Sequence, residues 1–289
     1  MNKSWNESAR LSLKSANECN EYFEGSNFKD FHFPIKIRLE FAERIDKSDH
    51  LDPLMLQILP KEVRATEGFF DSPVADEEHS PVKGLIHKYP SRVLLIATSV
   101  CVIHCQYCFR QNFDYVSNDF LKNWPAIENY LMNKKEVSEV VLSGGDPLTL
   151  SDTKISKILN IIEVIGHIKT VRFHTRTAVV IPSRITKELV DILNKTKLKV
   201  VFVFHINHVR EVSDEFMKNV ESLKAHTLLN QSVLLKGVND SAKVLSELSS
   251  KLFESNILPY YVHLLDKVSG ADRFLVTDKR AKEIYKTLQ

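Results

Sequence analysis

The stretch Cys101-Val-Ile-His-Cys105-Gln-Tyr-Cys108 places three of the chain's four cysteines within eight residues. Thiolates at C-x3-C-x2-C spacing on one short loop can wrap three corners of a cubic iron-sulfur cluster, for which cysteines are the usual ligands. The fourth cysteine, Cys19, lies in a polar N-terminal stretch and offers no further sulfur here, so the natural product is a metal centre with an open position. A zinc ion completed by His104 or a more distant histidine is the alternative, although the spacing lies outside the common C-x2-C pairs. A disulfide framework suits the chain less well, because it holds few cysteines for its length and shows no secretory leader.

The cysteine spacing, with Tyr107 just before the third cysteine, resembles the radical S-adenosylmethionine superfamily. That resemblance implies a [4Fe-4S] cluster whose open iron chelates the amino and carboxylate groups of S-adenosyl-L-methionine. An electron from a reducing donor then breaks the sulfonium bond and releases a 5′-deoxyadenosyl radical, while the protein positions and shields the reacting groups.

Outward from the cysteines the pattern is regular. Short β-branched apolar runs at 93–98, 139–142, 170–174, 199–204, 227–235 and 257–264 alternate with helical stretches, which is how repeated βα units and a parallel sheet read in sequence. The helices have readable ends: Pro125 at a first turn, Ser151 and Ser213 as N-caps, Asp240 leading another, and Gly166 closing the helix that Ser151 opens. Six repeats predict an α/β fold, a partial (β/α)6 radical SAM barrel, rather than the eight of a closed barrel. Before it, residues 1–80 read as a helical extension, with the first thirty polar and weakly patterned, Ile37, Phe41 and Ile45 recurring every four residues, a short helix between Asp52-Pro53 and Pro60, and a loop-like acidic stretch over 61–80. The expected boundary places the barrel domain at 81–289.

Composition narrows the partners. At 289 residues and 43% hydrophobic the chain can bury a large core. Thirty-nine Lys and Arg against 37 Asp and Glu are a near balance, which argues against a dedicated nucleic-acid surface. No apolar run approaches membrane-spanning length, and the opening Met1-Asn-Lys-Ser-Trp-Asn-Glu lacks the apolar block of a leader, so a cytoplasmic, reducing compartment is expected, with oligomeric state left open.

In (β/α) barrels chemistry gathers at the C-terminal ends of the strands. The cysteine loop follows the first strand, Ser143-Gly144-Gly145-Asp146 the second, His205 the fourth and Asp266 the sixth, so four polar groups point to one rim. Adjacent glycines after a strand let backbone approach a ligand closely. In the superfamily such a motif binds the amino group of S-adenosylmethionine, which makes Gly144, Gly145 and Asp146 cofactor-binding candidates.

Six ordered motifs carry a closer resemblance over most of the chain: His87-Lys-Tyr-Pro-Ser-Arg92, Cys108-Phe-Arg110, Ser143-Gly-Gly-Asp-Pro-Leu148, His205-Ile-Asn-His208, Asn230-Gln-Ser-Val-Leu-Leu235 and Pro259-Tyr-Tyr-Val-His-Leu-Leu-Asp266-Lys. The sequence resembles the lysine 2,3-aminomutase family, most of all the branch that makes (R)-β-lysine for modifying translation elongation factor P. The resemblance implies an isomerase that moves the amino group of L-lysine from Cα to Cβ, using pyridoxal 5′-phosphate as well as the cluster. It implies that Arg110 pairs with the substrate carboxylate, a task suited to a planar guanidinium, and that Asp266 pairs with the side-chain ammonium. It further implies that Lys88 and Arg92 hold the pyridoxal phosphate and that His205 and Gln231 lie near the S-adenosylmethionine ribose. Arg176, Asn207 and Asn230 are candidates for supporting groups only, outside the set of site residues.

One departure stands out. The family's pyridoxal lysine lies some tens of residues beyond the helix expected at 277–288, and this chain stops at Gln289. Two expectations follow: an incomplete sequence of an active enzyme, or a shortened protein that keeps the cluster without the aminomutase reaction. The competing functions are a radical reaction without pyridoxal phosphate, and a non-catalytic metal- or cluster-binding protein.

Overall fold

The computed structural model describes residues 5–8, 10–31, 33–62 and 65–289. The first four residues, on which the reading of a leader partly rests, lie outside them. The N-terminal part contains α1 Trp5–Ser8, β1 Ser12–Leu13, α2 Ala16–Tyr22, β2 Ile37–Arg38, α3 Leu39–Ala42 and α4 Pro53–Ile58. The remainder follows as β3 Leu85–Tyr89, β4 Arg92–Thr98, α5 Trp124–Asn133, β5 Glu139–Gly144, α6 Asp152–Glu163, β6 Thr170–Thr175, α7 Thr177–Val180, α8 Lys187–Lys195, β7 Lys199–His205, α9 Asp214–Val220, β8 Thr227–Val233, α10 Ala242–Glu254, β9 Leu258–His263 and α11 Asp278–Leu288.

The strands form one seven-stranded sheet in the order β3-β4-β5-β6-β7-β8-β9. Strands β4 to β9 pair in parallel and in sequence, while β3 adds an antiparallel edge. This is the partial (β/α)6 barrel expected from the alternation. Each predicted strand lies within about two residues of its observed bounds.

Strand parity sorts the two faces. Val93, Leu95, Val140, Leu142, Val171, Phe173, Phe202 and Phe204 belong to one apolar cluster shared with the helices. Phe173, Phe202 and Phe204 stack at centroid separations of 5.4 and 5.8 Å, and Phe216 of α9 meets Phe204 edge-on at 5.3 Å. Side chains alternate along a strand, so Arg92, Arg172, His174, His205 and Gln231 share the opposite, concave face.

Several local readings change. Within the helical extension, Ser15 and Glu18 form a reciprocal capping box that opens α2. Ile37, Phe41 and Ile45 do not lie on one helix, because Ile37 pairs with Leu13 in a two-stranded sheet before α3 begins. Leu85–Tyr89, read only as part of a motif, is a strand. Ser241, not Asp240, caps α10. Helix α6 ends at Val164 in right-handed conformation, and Gly166 is not among the left-handed glycines. Asp52, Ser151, Ser213 and Thr277 cap α4, α6, α9 and α11. Among the described residues, no helix is long and apolar enough to cross a membrane.

Candidate active site

The cysteine loop leaves the C-terminal end of β4 and is pressed between two parts of the fold. Val102 and Ile103 enter the apolar cluster of the N-terminal residues together with Phe41, Leu54 and Ile58. His104 joins the same side: its ring stacks on Phe33 at 5.2 Å, and its backbone and Nδ1 bond the carbonyls of Lys36 and Pro34 at 2.9 and 2.8 Å. Burial, and next the neighbouring cysteines, raise the thiols of Cys101 and Cys108, the latter to about 11. Three sulfurs thus share one desolvated loop. Among the described residues no group of three or more His, Cys, Asp or Glu stands ready to hold a metal ion.

The glycines after β5 lie flush against this loop. Gly144 has φ +109°, and a Cβ there would stand 2.7 Å from the Thr98 carbonyl oxygen. A Cβ on Gly145 would fall 2.7 Å from both the carbonyl carbon and the nitrogen of Val100. The Gly145 and Asp146 amides donate to Thr98 and Val100 at 2.6 and 2.8 Å. The carboxylate of Asp146 is spent on the fold: one oxygen accepts from Leu148 N and Thr175 Oγ1 at 3.0 and 2.7 Å, the other from Arg176 N and Thr177 N at 2.7 and 2.8 Å. Its side chain therefore ties β5 to β6.

Behind the cysteines lies a buried polar network that sequence reading reached only in part. Arg176 Nη1 donates to Cys105 Sγ at 2.7 Å and to Tyr107 Oη at 2.6 Å. Its Nη2 donates to Gln57 Oε1 at 2.8 Å and to Glu211 Oε2 at 2.7 Å. Tyr107 Oη is also 3.0 Å from His205 Nε2 and accepts from Asn207 at 2.7 Å. Gln231 Nε2 stands 3.5 Å from the other nitrogen of His205, so these two predicted neighbours do meet. Burial, and next the Arg176 charge, hold the His205 imidazole neutral. Gln57 and Glu211 carried no signal in sequence, since a lone Gln in a short helix and a Glu among other charged residues read as surface.

The anion-binding candidates are brought together differently from expectation. Asp76, in the acidic stretch before β3, bridges Arg110 Nε and Lys88 Nζ, each at 2.8 Å, with its side chain 4% exposed. Lys88 also donates to the Val74 carbonyl at 2.6 Å. Arg92 sits at the opposite end of β4 from the cysteines, where Glu139 lies 3.8 Å from Arg92 and 2.8 Å from Arg172. Lys88 and Arg92 are thus each matched to a carboxylate of the chain. Between these ion pairs, Arg172 Nε and His174 Nε2 are buried without a hydrogen-bond partner. Asp266 follows β9 at the rim. Partial desolvation raises its carboxyl above the ordinary value, while His263, Lys88 and Arg110 pull the other way.

Residues 91–234 match a family model described as a 4Fe-4S single cluster domain. The L-lysine 2,3-aminomutase of Buchnera aphidicola is 44% identical over 279 residues, covering 95% of this chain and 81% of that protein. This chain belongs to the lysine 2,3-aminomutase family. The L-lysine 2,3-aminomutase of Haemophilus influenzae is 42% identical over 285 residues, with 97% and 84% of the two chains covered. That of Escherichia coli is 41% identical over 261 residues, with 89% and 76% covered. Family membership and the cluster-domain match fall on the same loop that holds Cys101, Cys105 and Cys108.

Proposed function

We propose that the chain is a radical SAM isomerase acting on L-lysine, with (R)-β-lysine as product and elongation factor P modification as its destination. The observation that carries the substrate reading is the placement of opposite charges on one rim. Arg110 follows the cysteine loop and Asp266 follows β9, near enough for the guanidinium to act on the carboxyl, and a free amino acid with a cationic side chain offers a carboxylate to the first and an ammonium to the second.

Cys101, Cys105 and Cys108 would hold a [4Fe-4S] cluster, and their chemistry fits: three soft donors on one loop, one of them already accepting from a guanidinium. When bound, the cluster supplies the electron that cleaves S-adenosylmethionine. His205 and Gln231 would line the ribose of that donor. Arg176 and Tyr107 fix the middle cysteine from behind, and the buried network excludes water from that side. The two unpartnered buried polar atoms at Arg172 and His174 lie on the concave face, and with Lys88 and Arg92 they fit an anionic cofactor such as pyridoxal phosphate. When bound, that cofactor supplies the carbonyl through which the migrating amino group is carried. Arg110 and Asp266 hold the two ends of lysine and so fix which hydrogen faces the cysteine loop.

Anaerobic reconstitution with iron, sulfide, S-adenosylmethionine, pyridoxal phosphate and a reductant, followed by incubation with L-lysine, tests this reading. Formation of (R)-β-lysine is expected; the S enantiomer would remove the elongation factor P assignment. A second reading, a radical reaction without pyridoxal phosphate, draws on the fact that Lys88 and Arg92 already face carboxylates. Release of 5′-deoxyadenosine with no β-lysine would select it.

A further inference from the structure

The stretch Asp76-Glu77-Glu78 presents three acids in a row, and only the first is buried. Residues 70–76 contact the segments that hold Lys88, Arg110 and Asp266. Phe70 exchanges backbone hydrogen bonds with Lys267 and Ser269 at 2.9 and 3.1 Å, next to Asp266, and Asn112 donates to the Asp71 carbonyl at 3.5 Å. Ala75 adopts φ +48°, a left-handed conformation that costs a non-glycine residue on the order of 1 kcal/mol. The backbone accepts that strain immediately before the residue that enters the site.

Asp76 meets Arg110 through Nε. A guanidinium has two hydrogen-bonding edges, and this contact occupies the side edge. At the end edge, Nη1 has only a 3.5 Å contact with Ser143 Oγ. The ring of Phe109 lies 4.7 Å from the guanidinium carbon and limits its swing. Asp76 also neutralises one of two neighbouring cations, so Lys88 and Arg110 together carry a single net positive charge, the match for one carboxylate.

From this geometry we infer that Asp76 is a positioning residue for substrate recognition: it clamps Arg110 by its side edge, holds Lys88 beside it, and presents the end edge of the guanidinium to the carboxylate of the amino acid. The inference rests on the reading that Arg110 receives that carboxylate. An opposing account of the same contacts makes Asp76 a stand-in anion that the substrate must displace, and the two accounts predict opposite signs.

The test compares L-lysine with L-lysinamide, which keeps the side chain but lacks the carboxylate, on protein carrying cluster, S-adenosylmethionine and pyridoxal phosphate. In Asp76→Asn the dissociation constant for lysine is expected to rise about tenfold or more, with KM rising more than kcat falls, while lysinamide affinity stays within about twofold. Asp76→Glu, which keeps the charge, should recover most of the lysine affinity. Iron and sulfide contents equal to wild type certify that each variant is folded. Tighter lysine binding in Asp76→Asn, equal losses for the two probes, or no change would each overturn the inference. Wild-type protein that ignores lysine would overturn the substrate reading with it, whereas wild type that binds lysine and an unaffected variant would remove only the role of Asp76.

Discussion

Cys105 differs from its two companions in having a cation against its sulfur. Arg176 is itself fixed by Glu211, Gln57 and Tyr107, so the guanidinium that donates to the Cys105 sulfur is held in place. Cys105→Ala should abolish cluster assembly, read as loss of iron, acid-labile sulfide and the brown absorbance after anaerobic reconstitution; an unchanged spectrum would contradict the ligand assignment. Asp266 acts at the other end of the substrate. Asp266→Ala should weaken lysine binding about tenfold or more with cluster content intact, and unchanged affinity by titration calorimetry would remove it from the site.

At the scale of elements, the decisive contact is between the turn after β5 and the loop after β4. Gly145 is required there not for a left-handed backbone but for space, since a methyl group would meet the backbone of Val100, which cannot move without displacing Cys101. Gly145→Ala should destabilise the protein by roughly 1–3 kcal/mol, as overpacking does, and should lower cluster occupancy although no ligand is touched. A thermal melt within a degree of wild type and full iron content would refute this. The β-branched runs and the caps at Ser151 and Ser213 were legible because they are local: a strand needs stiff side chains, and a helix start needs one oxygen near two amides. The antiparallel β3 and the two-residue β1 and β2 were not, because short pairings are stabilised by neighbours remote in sequence; the cap at Ser241 is local, but Asp240 beside it is an equally good cap residue.

Across the whole molecule, Arg44 joins the N-terminal residues to the barrel. Its guanidinium donates to the carbonyls of Glu211, Val179 and Val180 at 2.8, 3.0 and 3.0 Å. Arg44→Ala leaves three carbonyls without this donor and should lower unfolding stability by about 3 kcal/mol, checked by urea denaturation. The concave face adds a pH dependence. Burial, followed by the charges of Arg172 and Arg110, pushes the imidazole of His174 down to about 3. Between pH 3 and the ordinary histidine value near 6.5 the unfolded chain binds a proton that the folded protein refuses, so stability falls as pH falls through that window. From pH 6.5 to 5 the loss is up to about 1.5 kcal/mol, and His174→Gln should flatten that part of the profile. By itself, the order of residues determined the (β/α)6 architecture, the three-cysteine loop and the rim on which Arg110, His205 and Asp266 lie, because strand period, cap chemistry and ligand spacing are properties of neighbouring residues. Only tertiary structure decided that Asp146 serves the fold, that Arg176 reaches Cys105 and that Asp76, alone among three consecutive acids, is buried between Lys88 and Arg110. Those outcomes depend on which distant side chains meet after the sheet has formed, and burial then fixes which charge must be paired.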